Sequence, residues 1–359
     1  MLPVFTKKLL AWNKSKNSRK MPWKGEKDPY KIWLSEIILQ QTRVEQGLAY
    51  YEKFIKAYPT IYLLAKASPQ KVFKLWEGLG YYSRCKNLLH TAGVVSRQYN
   101  GVFPREYDEI KKLKGIGPYT AAAISSFAFN AAYAVVDGNV QRVLARYFGI
   151  TTPVDSNEGR KLFNEMAQAL LPDQQAGVYN QAIMDFGAVI CKPRQPLCEK
   201  CIQRKECQAF QFNKVNELPV KGKAITKKDR WFNYYIINVN DEIYLRKRTG
   251  SDIWENLYEF VLFESGNGKT DNSDQRDWLK SLFGKQEYSL KKAGKLIRQQ
   301  LSHQNIYGKF FIVHTKKPLS KLKGYILVKR NKLSRFPFPG IINEFFKMGT
   351  NLPVSQRIK

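Results

Sequence analysis

Two kinds of hydrophobic patterning divide the chain. Through residues 1–210 apolar positions recur at helical spacing, and no alternating strand pattern interrupts them. MLPVFTKKLLAWNK at the start reads as an amphipathic helix. Asp28-Pro29 is a helix cap followed by proline at the first helical position, and YKIWLSEIILQQTRVEQ is predicted to continue from it as one helix. Ser68-Pro69 repeats the device before QKVFKLWEGLG, which stops on glycine. Further helices are predicted near 84–99, 105–113, 118–129, 138–147, 157–170 and 176–190. Lys214–Arg230 is basic, contains Pro and Gly, and reads as a linker. Beyond it WFNYYIINVN, DEIYLRKR and GKFFIVHT have the aromatic and β-branched content of strands, and DQRDWLKSLFG and FPGIINEFFKM are the clearest helices. The pattern therefore predicts a helical domain over 1–213, a linker over 214–229 and an α+β domain over 230–350.

Charge narrows the function. Sixty Lys and Arg face 30 Asp and Glu, a formal charge of +30, and such an excess points to a polyanionic partner, above all nucleic acid. A 43% hydrophobic content excludes a disordered basic tail. The N-terminal stretch lacks an apolar signal core, so secretion is not expected. The uncharged stretch 115–136 contains Gly, Pro, Ser and Asn and reads as a buried helix, not a membrane span.

Against this background a few residues stand out. Glu36 is a lone acid in the core-like run LSEIILQQT, sharing a helix face with Ile32, Trp33, Leu39 and Gln40. Four of the five cysteines, Cys191, Cys198, Cys201 and Cys207, form a C-x6-C-x2-C-x5-C cluster among Lys192, Arg194, Lys200, Arg204 and Lys205. Four thiolates on one short loop suit zinc or an iron–sulfur cluster, and the spacing alone does not separate them. In IKKLKGIGPYT, Gly115 and Gly117 flank one apolar residue before a new helix, a turn that can offer backbone N–H groups and a helix dipole to a phosphate. Asp137 precedes the helix GNVQRVLAR and reads first as its cap.

Together LKGIGPYTAAA, VVDGNVQRVLAR, WLSEIILQQT, WEGLGYYSRCKNL and the cysteine spacing resemble the helix-hairpin-helix base-excision DNA glycosylases of the endonuclease III superfamily, and among them the MutY-type adenine DNA glycosylases. The resemblance covers most of residues 8–210. It implies a mainly α catalytic domain with a [4Fe-4S] cluster on the 191–207 loop, and an α+β, Nudix-like domain that reads the lesion. By matching positions it implies that Glu36 is the general acid and that Asp137 stabilises the sugar cation. It likewise implies that Tyr119 and Asn139 orient those two groups, that Gln41 and Tyr81 wedge into the base stack, and that Arg19, Trp23 and Gln181 lie near the adenine pocket. Strand-cutting members carry lysine two residues after the second hairpin glycine; Tyr119 stands there, and Lys114 is no obvious replacement, so a hydrolytic, monofunctional enzyme is expected. In QQLSHQNI, Ser302 and His303 match the loop that contacts 8-oxoguanine, although Leu301 replaces the usual Phe. The Glu-rich metal box of Nudix hydrolases is absent, so no pyrophosphatase is expected.

The expected reaction is hydrolysis of adenine from mispairs with 8-oxoguanine or G in duplex DNA. Apolar neighbours would hold Glu36 protonated, and the helix start would keep Asp137 ionised. The alternatives are a mismatch or oxidised-pyrimidine glycosylase of the same fold, and a non-catalytic, metal-containing DNA-binding protein. The protein is expected to be a monomer without membrane association, cytoplasmic at the nucleoid in a bacterium, and nuclear or mitochondrial otherwise.

Overall fold

The computed structural model describes residues 2–222, 226–266 and 272–348. The chain forms two compact units, Met1–Lys66 with Asn87–Ala224, and Ala67–Lys86 with Ile225–Lys359. The division is not a single cut near the predicted linker, because residues 67–86 group with the C-terminal part.

The first unit is helical. Its helices are α1 (Val4–Ser15), α2 (Pro29–Leu39), α3 (Val44–Ala57) and α4 (Ile61–Ala65). The second unit's early segment holds α5 (Pro69–Trp76) and the start of α6 (Tyr82–Gln98). Then come α7 (Tyr107–Lys112), α8 (Pro118–Phe129), α9 (Gly138–Phe148), α10 (Asn157–Leu170), α11 (Ala176–Val189) and α12 (Gln208–Gln211). The predicted helices stand within a few residues of these bounds, with one correction. YKIWLSEIILQQTRVEQ is not one helix: α2 ends at Leu39, Gln41 turns the backbone at φ 56°, and α3 opens at Val44. Asp28 caps α2 by accepting from the Tyr30 N–H.

Phe5, Leu9 and Trp12 of α1 form one core with Val140, Val143 and Leu144 of α9, Phe163 of α10, and Tyr179, Ile183 and Phe186 of α11. α2 packs on α8, whose residues Thr120–Ser126 are all buried, as expected of the uncharged stretch. No described helix is long and apolar enough to cross a membrane. The basic segment after α12 is partly docked: Arg146 donates to the Leu218 carbonyl, the Gly222 N–H to Asp155, and Leu218 is buried.

The second unit is built on a mixed sheet. Its strands are β1 (Lys228–Val239), β2 (Glu242–Lys247), β3 (Tyr258–Glu259), β4 (Val261–Ser265), β5 (Ser289–Gln300), β6 (Gln304–Thr315) and β7 (Ile326–Lys329). The order is β3-β2-β1-β6-β5, with β1 and β6 parallel, β4 against β1 and β7 against β2. Two helices, α13 (Asn272–Phe283) and α14 (Gly340–Lys347), complete it. β5 carries no strand-like apolar alternation; only Ala293 and Ile297 are buried in it, and its lysines suit an unpaired sheet edge. Within this unit Glu77 accepts from the Phe338 N–H and the Asn343 amide.

Candidate active site

One cavity of about 670 Å³ lies in the helical unit. Glu36, Gln41, Tyr119, Asp137, Asn139, Arg19, Trp23 and Gln181, all singled out from sequence, line it. Three elements bring the central groups together. α2 contributes Glu36 from its apolar face; Trp33 of the same face turns into the core, 1% exposed, and does not reach the cavity. α8 opens directly after the glycine turn and contributes Tyr119. The start of α9 contributes Asp137 and Asn139.

The two carboxyls are held differently. Glu36 is 7% exposed. Burial pushes its pKa up to about 7, and the nearby charge of Asp137 adds to this, while a hydrogen bond donated by the Tyr119 hydroxyl opposes it. Asp137 caps α9: one oxygen accepts from the Asn139 and Val140 N–H groups at 2.8 Å each, and the other from the Asn139 side-chain amide at 2.7 Å. Burial raises the Asp137 pKa above the ordinary aspartate value despite these three donors and the Arg142 charge. The helix start therefore opposes burial, as its dipole should, without cancelling it.

Asn139 is fixed in turn, since Arg142 donates to its side-chain oxygen at 2.8 Å and also to the carbonyls of Cys191 and Gly187, each at 2.7 Å. Gly187 permits this packing; a Cβ there would stand 2.7 Å from the Cβ of Asn139. The lysines lining the cavity are both engaged: Lys24 binds Asp185 and the Arg19 carbonyl, and Lys27 donates to the Phe127 carbonyl.

The turn before α8 has Gly115 at φ 82°, where a Cβ would stand 2.7 Å from the Cβ of Asn87; a Cβ on Gly117 would meet open space. The four cysteines are all half-buried. Cys191, Cys198 and Cys207 act electrostatically on Cys201, and burial raises Cys201 to about 12. Arg146 donates to Cys191 Sγ at 3.4 Å, while Cys207 Sγ donates to the Arg146 carbonyl. Among the described residues no three His, Cys, Asp or Glu side chains are grouped to hold a single metal ion. Of the loop's cations, Arg204 is committed to Glu199 and to the face of Phe210.

In the second unit Tyr81 is 42% exposed, so it is no core aromatic, and its hydroxyl lies 2.7 Å from the Ser302 hydroxyl. Ser302 and His303 are exposed in the turn between β5 and β6. Sequence reasoning missed Asp185 and Lys24. Asp185 stood in plain view as an acid in the apolar helix AGVYNQAIMDFGAV, the same signal that marked Glu36.

Residues 34–168, which carry both carboxyls, match the HhH-GPD superfamily base excision DNA repair protein family, and residues 233–348 match the NUDIX domain. This defines the class: a helical repair glycosylase joined to a Nudix-like domain. A solved thermostable thymine-DNA glycosylase is 34% identical with a TM-score of 0.54, covering 58% of this chain and 96% of its own. The adenine DNA glycosylase of Buchnera aphidicola subsp. Baizongia pistaciae is 36% identical over 309 residues, 85% of this chain and 84% of its own. That of subsp. Acyrthosiphon pisum is 37% identical over 265 residues, 73% of this chain and 75% of its own. The chain belongs to the adenine DNA glycosylases, enzymes of base excision repair.

Proposed function

We propose that the enzyme hydrolyses the N-glycosidic bond of adenine paired with 8-oxoguanine or G in duplex DNA, acting as a monomer without strand cleavage. The observation that carries the reading is the pairing of two buried carboxyls of unlike setting in one cavity, Glu36 without backbone donors and with its pKa near 7, Asp137 with three donors. A purine leaves as an anion unless its ring is protonated, and the sugar left behind is cationic. Glu36 delivers the proton to the extruded adenine, with Tyr119 orienting its carboxyl. Asp137, held by Asn139, faces the developing cation as an anion, and Glu36 then takes a proton from the attacking water. The cavity suits a base removed from the stack. The engaged states of Lys24 and Lys27 support hydrolysis over Schiff-base chemistry, since neither amine is free to attack the sugar.

Gln41 fills the gap left by the base, Gly115 and Gly117 hold a phosphate, and Arg19, Trp23 and Gln181 surround the adenine; Tyr81, in the other unit, is a base-stack wedge in its own right. Ser302 and His303 contact the oxidised base; the Tyr81–Ser302 contact supports a shared role. Cys191, Cys198, Cys201 and Cys207 would hold a [4Fe-4S] cluster. Four thiols within one short loop, all half-buried, are a donor set that fits such a cluster. When bound, such a cluster supplies a rigid cross-link for the loop and a redox centre.

The test uses duplexes carrying A opposite 8-oxoguanine, A opposite G, and T opposite G, followed by alkali. Breaks at A that appear only after alkali are expected; breaks at T, or breaks without alkali, overturn the reading. In single turnover, Glu36→Gln and Asp137→Asn are each expected to slow adenine release by about 100-fold or more, with DNA binding retained.

A further inference from the structure

Asp185 is an acid that the scheme above does not use. Its side chain is 0% exposed, and four side chains donate to it. Oδ1 accepts from Arg19 Nη1 and Gln181 Nε2, both at 2.9 Å; Oδ2 accepts from Lys24 Nζ and Asn17, both at 2.8 Å. Asn17, Arg19 and Lys24 lie in the segment between α1 and α2, and Gln181 is one turn before Asp185 on α11. Arg19, Lys24 and Gln181 line the cavity, whereas Asp185 does not.

An ionised carboxylate only accepts hydrogen bonds, so the atom Gln181 turns toward it must be its NH2 group. A flipped amide would set oxygen against oxygen at 2.9 Å. The Gln181 oxygen is thereby turned away from Asp185, and it accepts no bond among the described residues. Arg19 gives one of its five N–H groups to Asp185 and keeps donors for the cavity. The wall thus offers an acceptor beside donors. The six-position edge of adenine is an amino donor beside a ring-nitrogen acceptor, which complements that wall. Hypoxanthine has the opposite arrangement, a carbonyl beside an N–H.

We infer that Asp185 is a positioning residue for base selection: by fixing the Gln181 amide and the Arg19 guanidinium, it makes the cavity accept 6-amino purines and reject 6-oxo purines. The inference rests on the cavity being the base pocket of the proposed reaction. A misplaced amide presents a donor to a donor, and each such mismatch is worth roughly tenfold or more in rate.

The experiment measures single-turnover release of adenine and of hypoxanthine from otherwise identical duplexes, by wild type, Asp185→Asn and Gln181→Met. Comparing each variant's ratio with that of wild type cancels the intrinsic difference between the two leaving groups. Asn at 185 can donate, which frees Gln181 to flip. The adenine-to-hypoxanthine ratio is expected to fall about tenfold or more in Asp185→Asn, and Gln181→Met, on the cavity wall, is expected to lower it similarly. A merely structural Asp185 would slow both bases alike, and an unchanged ratio in either variant overturns the inference. If Asp185→Asn does not fold, Gln181→Met decides alone. Wild type that releases no adenine refutes the proposed function instead, so the two failures are distinguishable.

Discussion

Burial acts on both carboxyls of the cavity, but only Asp137 is met by backbone donors. The consequence for Glu36 can be read in stability as well as in rate. Its pKa rises from 4.5 to about 7 on folding, so the folded chain holds the proton more tightly. That contribution is complete below pH 4.5 and is lost as pH rises through 7. Glu36→Gln is therefore expected to leave stability unchanged at pH 4 and to raise it at pH 8 by about 3 kcal/mol, as measured by denaturant unfolding at both values. A gain of equal size at both pH values would mean the carboxyl is not held protonated. For the same reason wild-type adenine release should decline as pH rises through about 7. Glu36 was legible in the sequence because an acid is conspicuous in an apolar run. Asp185 carried the same mark, yet its meaning depends on Asn17, Arg19 and Lys24, more than 160 residues away, and no local pattern announces such partners.

At the scale of elements, caps and punctuation made the helices readable: Asp28-Pro29, Ser68-Pro69 and the glycine turn before α8 all stand where helices begin. The break between α2 and α3 was not readable. Neither Gly nor Pro marks LQQTRVEQ, and the turn rests on Gln41 adopting a left-handed backbone that its side chain does not favour. β5 was hidden for the opposite reason, since an edge strand rich in lysine lacks the apolar alternation by which strands are recognised. The close approach of α11 to the start of α9 gives a prediction at this scale. Gly187→Ala places a methyl 2.7 Å from the Cβ of Asn139. Overpacking of this kind costs about 1–3 kcal/mol, and the shift passes directly to the Asp137 cap. Adenine release is expected to fall more than DNA affinity does, and a variant with wild-type rate and stability would show that the helices yield there.

For the whole molecule, the charge of +30 governs association. Affinity for undamaged duplex should fall steeply with salt, with a log–log slope of about −5 or steeper, the value for roughly six neutralised phosphates. Titration between 50 and 200 mM salt checks this, and a slope shallower than about −2 would mean that most of the excess charge faces away from DNA.

The grouping of residues 67–86 with the C-terminal unit also sets a timetable for synthesis. Gln70, Lys74 and Glu77 find their partners at Arg335, Phe336, Phe338 and Asn343, more than 260 positions downstream. At about 5–20 residues per second, a ribosome leaves this segment waiting for roughly 13 seconds to nearly a minute. Eight residues are too few to hold a helix unsupported, so through that interval α5 lacks the partners that fix it, and a chain that stops before residue 335 never supplies them.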